Sequence, residues 1–154
     1  MTREVEYRQA ASAGDVAAMN ALGELAQQAD PPDLDAAREW FGKAADLGDV
    51  AAMNSLGSLH RHKIDPPDLA AAKHWYEKAA VGGHADAMNE TGRLYYAEED
   101  FETAREWFRR AAASGIDPAN YNLGQLYRYK LDPPDLDMAR QCTKERRPTA
   151  TPGR

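Results

Sequence analysis

Along VAAMNSLGSLHRH, residues 50–62, the apolar Ala52, Leu56 and Leu59 fall at i, i+4 and i+7. That spacing places them on one face of a helix, with polar Asn54, Ser58 and Arg61 on another. After KIDPPD, the stretch LAAAKHWYEKAAVGG takes up the rhythm again. Leu69, Ala72, Tyr76 and Ala79 keep the i, i+3, i+7 pattern, and Trp75 and Ala80 widen the stripe. Two consecutive helices are predicted, A and then B. Gly82-Gly83 ends the second, as Gly48 and Gly115 do elsewhere, because glycine reaches the left-handed C-terminal conformation at little cost.

The same pair recurs along the chain. Gly23, Gly57, Gly92 and Gly124 are spaced 34, 35 and 32 residues apart. Trp40, Trp75 and Trp107 are spaced 35 and 32, and Ala44-Ala45, Ala79-Ala80 and Ala111-Ala112 keep the same beat. One helix pair cannot bury its apolar face alone, so a period of this length predicts a stacked array. The divisions expected are a half-repeat of helix-B type over 1–14, full repeats over 15–48, 49–83 and 84–115, a degenerate repeat over 116–146, and a disordered tail over 147–154. About nine helices follow from this count, and no strand.

DPPDL stands three times, at Asp30–Leu34, Asp65–Leu69 and Asp132–Leu136. It reads as a helix start signal rather than a catalytic loop. Asp65 can cap the helix, with Pro66 in its first position and Asp68 three residues after the cap. Asp68 as the cap itself gives the same punctuation. The third repeat drops three residues at this place and reads LYYAEEDFETAREWF, yet Phe101, Ala104 and Trp107 keep the helix-B spacing. Glycine inside helix A costs roughly 1 kcal/mol relative to alanine. The expected return is close approach of helices A and B, with Trp and the adjoining Phe or Tyr filling wider gaps between stacked repeats.

AMNSLGSL with AAKHWYEKAAVGG, and AMNETGRLY with TAREWFRRAAASG, resemble the Sel1-like repeat family, a relative of the tetratricopeptide repeats. The resemblance covers roughly Ala10 to Arg140 and rests on several periods together. It implies an all-α fold: a right-handed α-α superhelix, or solenoid, of antiparallel helix pairs. It also implies a non-catalytic adaptor or scaffold whose concave surface is lined by helix A. Two departures stand out. Tyr7, Ala10, Ala11 and Gly14 match helix B with no helix A before them, and Cys142-Thr143 stand where Trp-Tyr or Trp-Phe belongs.

Projected at about 100° per residue, the non-core face of helix A carries Asn20, Glu24 and Gln27 in the first repeat. The equivalents are Asn54, Ser58 and Arg61, then Asn89, Arg93 and Tyr96, then Tyr121, Gln125 and Arg128. These residues form the candidate partner-binding groove. Asparagine can hold a peptide backbone through donor and acceptor, arginine can take a carboxylate bidentately, and tyrosine adds apolar contact with a polar tip. The expected partner is a protein or peptide segment with acidic residues toward Arg61, Arg93 and Arg128. The alternatives are that the asparagines bond neighbouring helices, and that Arg61 and Arg128 complement helix C-termini.

Composition narrows the classes. Against 25 acidic residues stand 19 basic ones, a net charge of −6, which argues against bulk nucleic-acid binding. No apolar run approaches a membrane span, and MTREVEYRQ lacks a signal-peptide core. A single cysteine, Cys142, fits a reducing compartment, and a cytoplasmic setting is expected. His60 and His62 point about 200° apart on a helix and cannot share an ion, so no metal is expected and the histidines read as surface residues. No nucleophile elbow, zinc-protease helix or phosphate loop is present, so neither enzyme nor cofactor is expected. The Trp residues, at strict repeat spacing, are expected in the core. Behind the adaptor reading stand a subunit assembling end-to-end into a homo-oligomer through its terminal helices, and more weakly a hydrolase.

Overall fold

A computed structural model describes residues 3–131 and 133–144. Nine helices and no strand are found among them: α1 (Arg3–Ser12), α2 (Val16–Gln28), α3 (Leu34–Asp46), α4 (Val50–His62), α5 (Leu69–Val81), α6 (Ala85–Ala97), α7 (Phe101–Ala113), α8 (Asp117–Tyr129) and α9 (Leu136–Lys144). The expected tail over 147–154 lies outside the described residues. The chain divides into two compact units, one running to His84 with α1–α5 and one starting at Ala85 with α6–α9.

Within each unit the helices pack in chain order. In the first, α2 lies on α3 and α4 on α5, with α1 against α2 and α3 against α4. In the second, α6 lies on α7, α7 on α8, and α8 on α9. The contacts are lined by small residues: Ala37, Ala44, Ala52, Ala72, Ala79 and Ala80 are fully buried, as are Ala87, Ala104, Ala111 and Ala119. Leu56, Leu59, Phe41, Phe108 and Leu126 supply the bulk between them. Leu69, expected on the buried stripe of α5, is exposed at the helix's first position.

Aspartates begin most helices. Asp15, Asp33, Asp49, Asp68 and Asp100 each accept a hydrogen bond from the backbone N–H three residues on. Of the two boundaries open for DPPDL, the structure takes the later one. Asp68, not Asp65, is the cap, bonded by Ala71 N–H at 2.9 Å. Asp33 and Asp135 act alike toward Ala36 and Met138. The prolines therefore lie before the helix, not in its first turn. Where the third repeat is short, Glu98-Glu99-Asp100 is the whole connection, and Glu99 takes a φ of 63° to close it. Gly14, Gly48, Gly83 and Gly115 turn the chain after α1, α3, α5 and α7 with φ between 86° and 96°.

The aromatic pairs divide their roles differently from expectation. Phe41, Tyr76 and Phe108 are buried against the helix-A glycine of their own repeat, not in gaps between repeats. Trp40, Trp75 and Trp107, expected in the core, are only half-buried. Neighbours on a helix diverge by about 100°, so Trp and Phe in sequence cannot both point inward. Each indole instead meets a cation three residues along its helix: Lys43 at 4.3 Å from the Trp40 ring, Lys78 at 5.0 Å from Trp75, and Arg110 at 4.5 Å from Trp107.

Candidate functional site on the helix-A faces

The helix-A helices are α2 and α4 in the first unit, α6 and α8 in the second. Their cores face inward through Leu22, Leu56, Leu94 and Leu123, which leaves the candidate residues on the remaining arc. What those residues touch differs from repeat to repeat.

On α2, the Asn20 amide donates to Asp49 Oδ1 at 3.0 Å. The same oxygen accepts from Ala52 N–H at 2.7 Å and so caps α4. Asn20 thereby ties its helix to the start of the next helix A, 29 residues on. Glu24 is exposed and Gln27 half-buried. On α4, Asn54, Ser58 and Arg61 are half-buried.

On α6, Asn89 is 7% exposed, and its carbonyl accepts from Asn122 of α8 at 3.0 Å. The capping aspartate found at Asp49 is replaced by Ile116 at the start of α8, which has no side-chain cap. Asn122 takes over the cross-helix bond. Arg93 reaches Glu90 at 3.0 Å. Tyr96 packs edge-on against Phe101, ring centroids 5.4 Å apart, and Lys130 Nζ lies 5.7 Å from the Tyr96 ring.

On α8 the face opens. Tyr121 is 51% exposed, and Gln125 Nε2 donates to its hydroxyl at 2.6 Å. Arg128 is exposed, with its guanidinium 5.8 Å from the ring of Tyr129, which is itself 65% exposed. The residues that sequence reasoning passed over are Asn122, whose partner lies 33 residues away, and Tyr129, which the i+8 step from Tyr121 would have found.

Three buried or largely buried titratable groups stand apart from these faces. His60, expected at the surface, keeps only 13% of its side chain exposed, 4.0 Å from Asp68. Burial holds its pKa below the ordinary histidine value, opposed by Asp68 and helped by Arg38. Burial also pushes the Tyr127 hydroxyl upward. The only cysteine, Cys142, is buried beside Gly124. Among the described residues no group of three or more His, Cys, Asp and Glu is arranged to hold a metal ion, and no helix is long and apolar enough to cross a membrane.

Capped 13-residue helices in recurring A/B pairs, with Gly23, Gly57 and Gly92 each meeting an aromatic ring, define an α-helical repeat protein. A family model, the Sel1 repeat, matches residues 16–49, 50–84, 85–116 and 117–144. The chain belongs to the Sel1 repeat family. Among solved structures it is similar to a protective antigen present in uropathogenic Escherichia coli strains and displaying an SLR fold. The identity is 29% and the TM-score 0.80, over 92% of this chain and 32% of that one. A Sel1 repeat protein from Oxalobacter formigenes is 27% identical with a TM-score of 0.79, over 90% of this chain and 60% of that one. This chain thus spans about a third of the first and three-fifths of the second. Comparison with curated proteins finds no match. Sel1 repeat proteins generally mediate protein–protein interaction and are typically non-catalytic modules.

Proposed function

We propose that this chain is a non-catalytic interaction module whose helix-A faces hold a segment of a partner protein, in a cytoplasmic setting. The observation that carries the reading is the outer face of α8. Tyr121, Gln125 and Arg128 stand at i, i+4 and i+7, and both Tyr121 and Arg128 are exposed. Tyrosine and arginine are the residue types that dominate binding energy at protein interfaces. Within the same unit Arg93 stands on the outer face of α6, and Glu24, Ser58 and Arg61 take corresponding repeat positions on α2 and α4 of the other unit, whereas Asn20 and Asn89 already bond within the fold. Cationic side chains on a chain of net charge −6 favour an acidic segment. Replacing Arg93→Glu together with Arg128→Glu should abolish partner capture while leaving the melting temperature within a degree or so, because exposed ion pairs contribute only about 0–1 kcal/mol. Capture that survives the double change would remove the reading.

A second reading, end-to-end self-assembly, has one observation in its favour. Leu25 is 43% exposed, while Leu59, Leu94 and Leu126 at the same repeat position are buried. Beside it a cleft of about 200 Å3 opens between α1, α2 and α3, lined by Leu22, Ala26 and Trp40. Light scattering over a concentration series, with Leu25→Asp alongside, decides it. A mass that rises with concentration in the parent and not in the variant supports assembly; a constant monomer in both excludes it.

A further inference from the structure

The outer stripe of α8 carries features that no other helix A shares. Tyr121, Gln125, Arg128 and Tyr129 fall at i, i+4, i+7 and i+8, one continuous face opposite the buried Ala119, Leu123 and Leu126. Tyr121 and Tyr129 are the only aromatic residues among the exposed large hydrophobics of the described chain. At the same places α4 has Asn54, Ser58, Arg61 and His62, and α2 has Asn20, Glu24, Gln27 and Gln28. Two large rings are thus left in water in one repeat alone, with nothing in the core arrangement to require them there.

Resting on the interaction reading above, we propose that this stripe is a docking face for an extended, acidic, proline-containing segment of a partner protein. Four physical points select that chemistry. First, the stripe offers hydrogen-bond donors, the Gln125 amide, the Tyr hydroxyls and the Arg128 guanidinium, at intervals of about one helical turn. A segment in polyproline II conformation presents solvated backbone carbonyls with no internal hydrogen bonds, which makes it an acceptor partner. Second, a helix surface has its own backbone groups paired within it, so a partner strand cannot add by backbone pairing as on a sheet edge. Recognition must go through side-chain faces, and aromatic side chains are the surfaces on which proline-rich segments dock. Third, the rings are held in place before binding. Gln125 fixes the Tyr121 hydroxyl at 2.6 Å, and Arg128 lies over Tyr129 at 5.8 Å. That restraint reduces the entropy lost on docking. Fourth, the only acid of α8, Asp117, sits in its first turn, while Arg128 and Lys130 stand at its far end. The segment's carboxylates therefore belong toward the C-terminal end of α8, where Arg128 can take one bidentately.

Fluorescence anisotropy on the full chain tests this with three labelled, end-blocked peptides: three Glu-Pro-Pro triplets closed by Glu, the same with Lys for Glu, and the same with Gly for Pro. The Glu-Pro peptide should bind at least about tenfold more tightly than either comparator, a difference well resolved by titration. Arg128→Glu should remove that preference over the Lys-Pro peptide. Tyr121→Ser and Tyr129→Ser should each weaken binding several-fold, with circular dichroism unchanged because both side chains are exposed. Equal binding of all three peptides, or Glu-Pro binding indifferent to the three variants, overturns the proposal. Should the Glu-Pro peptide fail to bind while the Arg93→Glu, Arg128→Glu pair still abolishes capture of a partner protein, the ligand chemistry assigned here is wrong and the interaction reading stands. Failure of both removes both.

Discussion

The ring of Tyr76 lies so close to Gly57 that a Cβ on the glycine would stand 2.7 Å from it. Gly23 meets Phe41 and Gly92 meets Phe108 in the same way. Each aromatic side chain of helix B therefore uses the missing side chain of helix A as its seat. Gly57→Ala gains roughly 1 kcal/mol of helix propensity and loses more to the displaced ring, since overpacking typically costs 1–3 kcal/mol. A net loss of about 1 kcal/mol in urea unfolding is expected. At Gly124 the same Cβ meets Thr143 Cγ2 at 3.3 Å and no ring, so Gly124→Ala should be neutral or stabilising. Equal effects of the two changes would show that the ring contact does not set the requirement for glycine.

DPPDL invites the assumption that its first aspartate matters as much as its last. The geometry separates them. Asp68 Oδ1 accepts from Ala71 N–H at 2.9 Å, and the preceding residues make a connection rather than a helical turn. Asp68→Ala should cost about 1 kcal/mol, the usual value of a lost N-cap. Asp65→Ala should stay within about 0.5 kcal/mol, as surface changes do. Chemical denaturation of the two variants side by side gives the answer, and a larger loss at Asp65 would reverse the assignment of the cap.

How much of this was legible beforehand depends on the range of each interaction. The A/B alternation was plain, because Ala52, Leu56 and Leu59 announce a buried helical face within ten residues. The ends of α4 and α5 follow from local signals too. Which of Trp75 and Tyr76 turns inward was not legible, since both are aromatic and adjacent, and the deciding fact is the position of Gly57 on the other helix. Asn20 and Asn89 offered the same ambiguity. Their partners, Asp49 and Asn122, are 29 and 33 residues distant, and nothing local distinguishes a bonded asparagine from an available one. On α8 the stripe of Tyr121, Gln125 and Arg128 was visible from periodicity, but its exposure was not.

Thr91 occupies the position held by Leu22, Leu56 and Leu123 in the other repeats. It is fully buried, and its hydroxyl has no hydrogen-bond partner. An unsatisfied buried hydroxyl costs about 1–3 kcal/mol. Thr91→Val keeps the shape and the β-branching, so helix propensity barely changes. The expected result is a gain of about 1 kcal/mol and a higher melting temperature. An unchanged or lower value would mean that the hydroxyl is bonded in solution.

His60 makes the stability of its unit depend on pH in a definite direction. Its Nδ1 is buried without a hydrogen-bond partner, 4.0 Å from Asp68 Oδ2, and burial lowers its pKa from 6.5 more than Asp68 raises it, with Arg38 adding to the lowering. In the unfolded chain the imidazole takes its proton at the ordinary value, before the folded state does. Between the two pKa values the unfolded state binds more protons, so stability falls as the pH drops below about 6.5 and levels off once His60 is protonated in both states. Urea midpoints of the parent and of His60→Gln, taken from pH 8 to pH 5.5, should agree in slope above that value and diverge below it, the parent losing more. A parent that gains stability on acidification, relative to the variant, would mean that the protonated ring closes an ion pair with Asp68 strong enough to outweigh its burial.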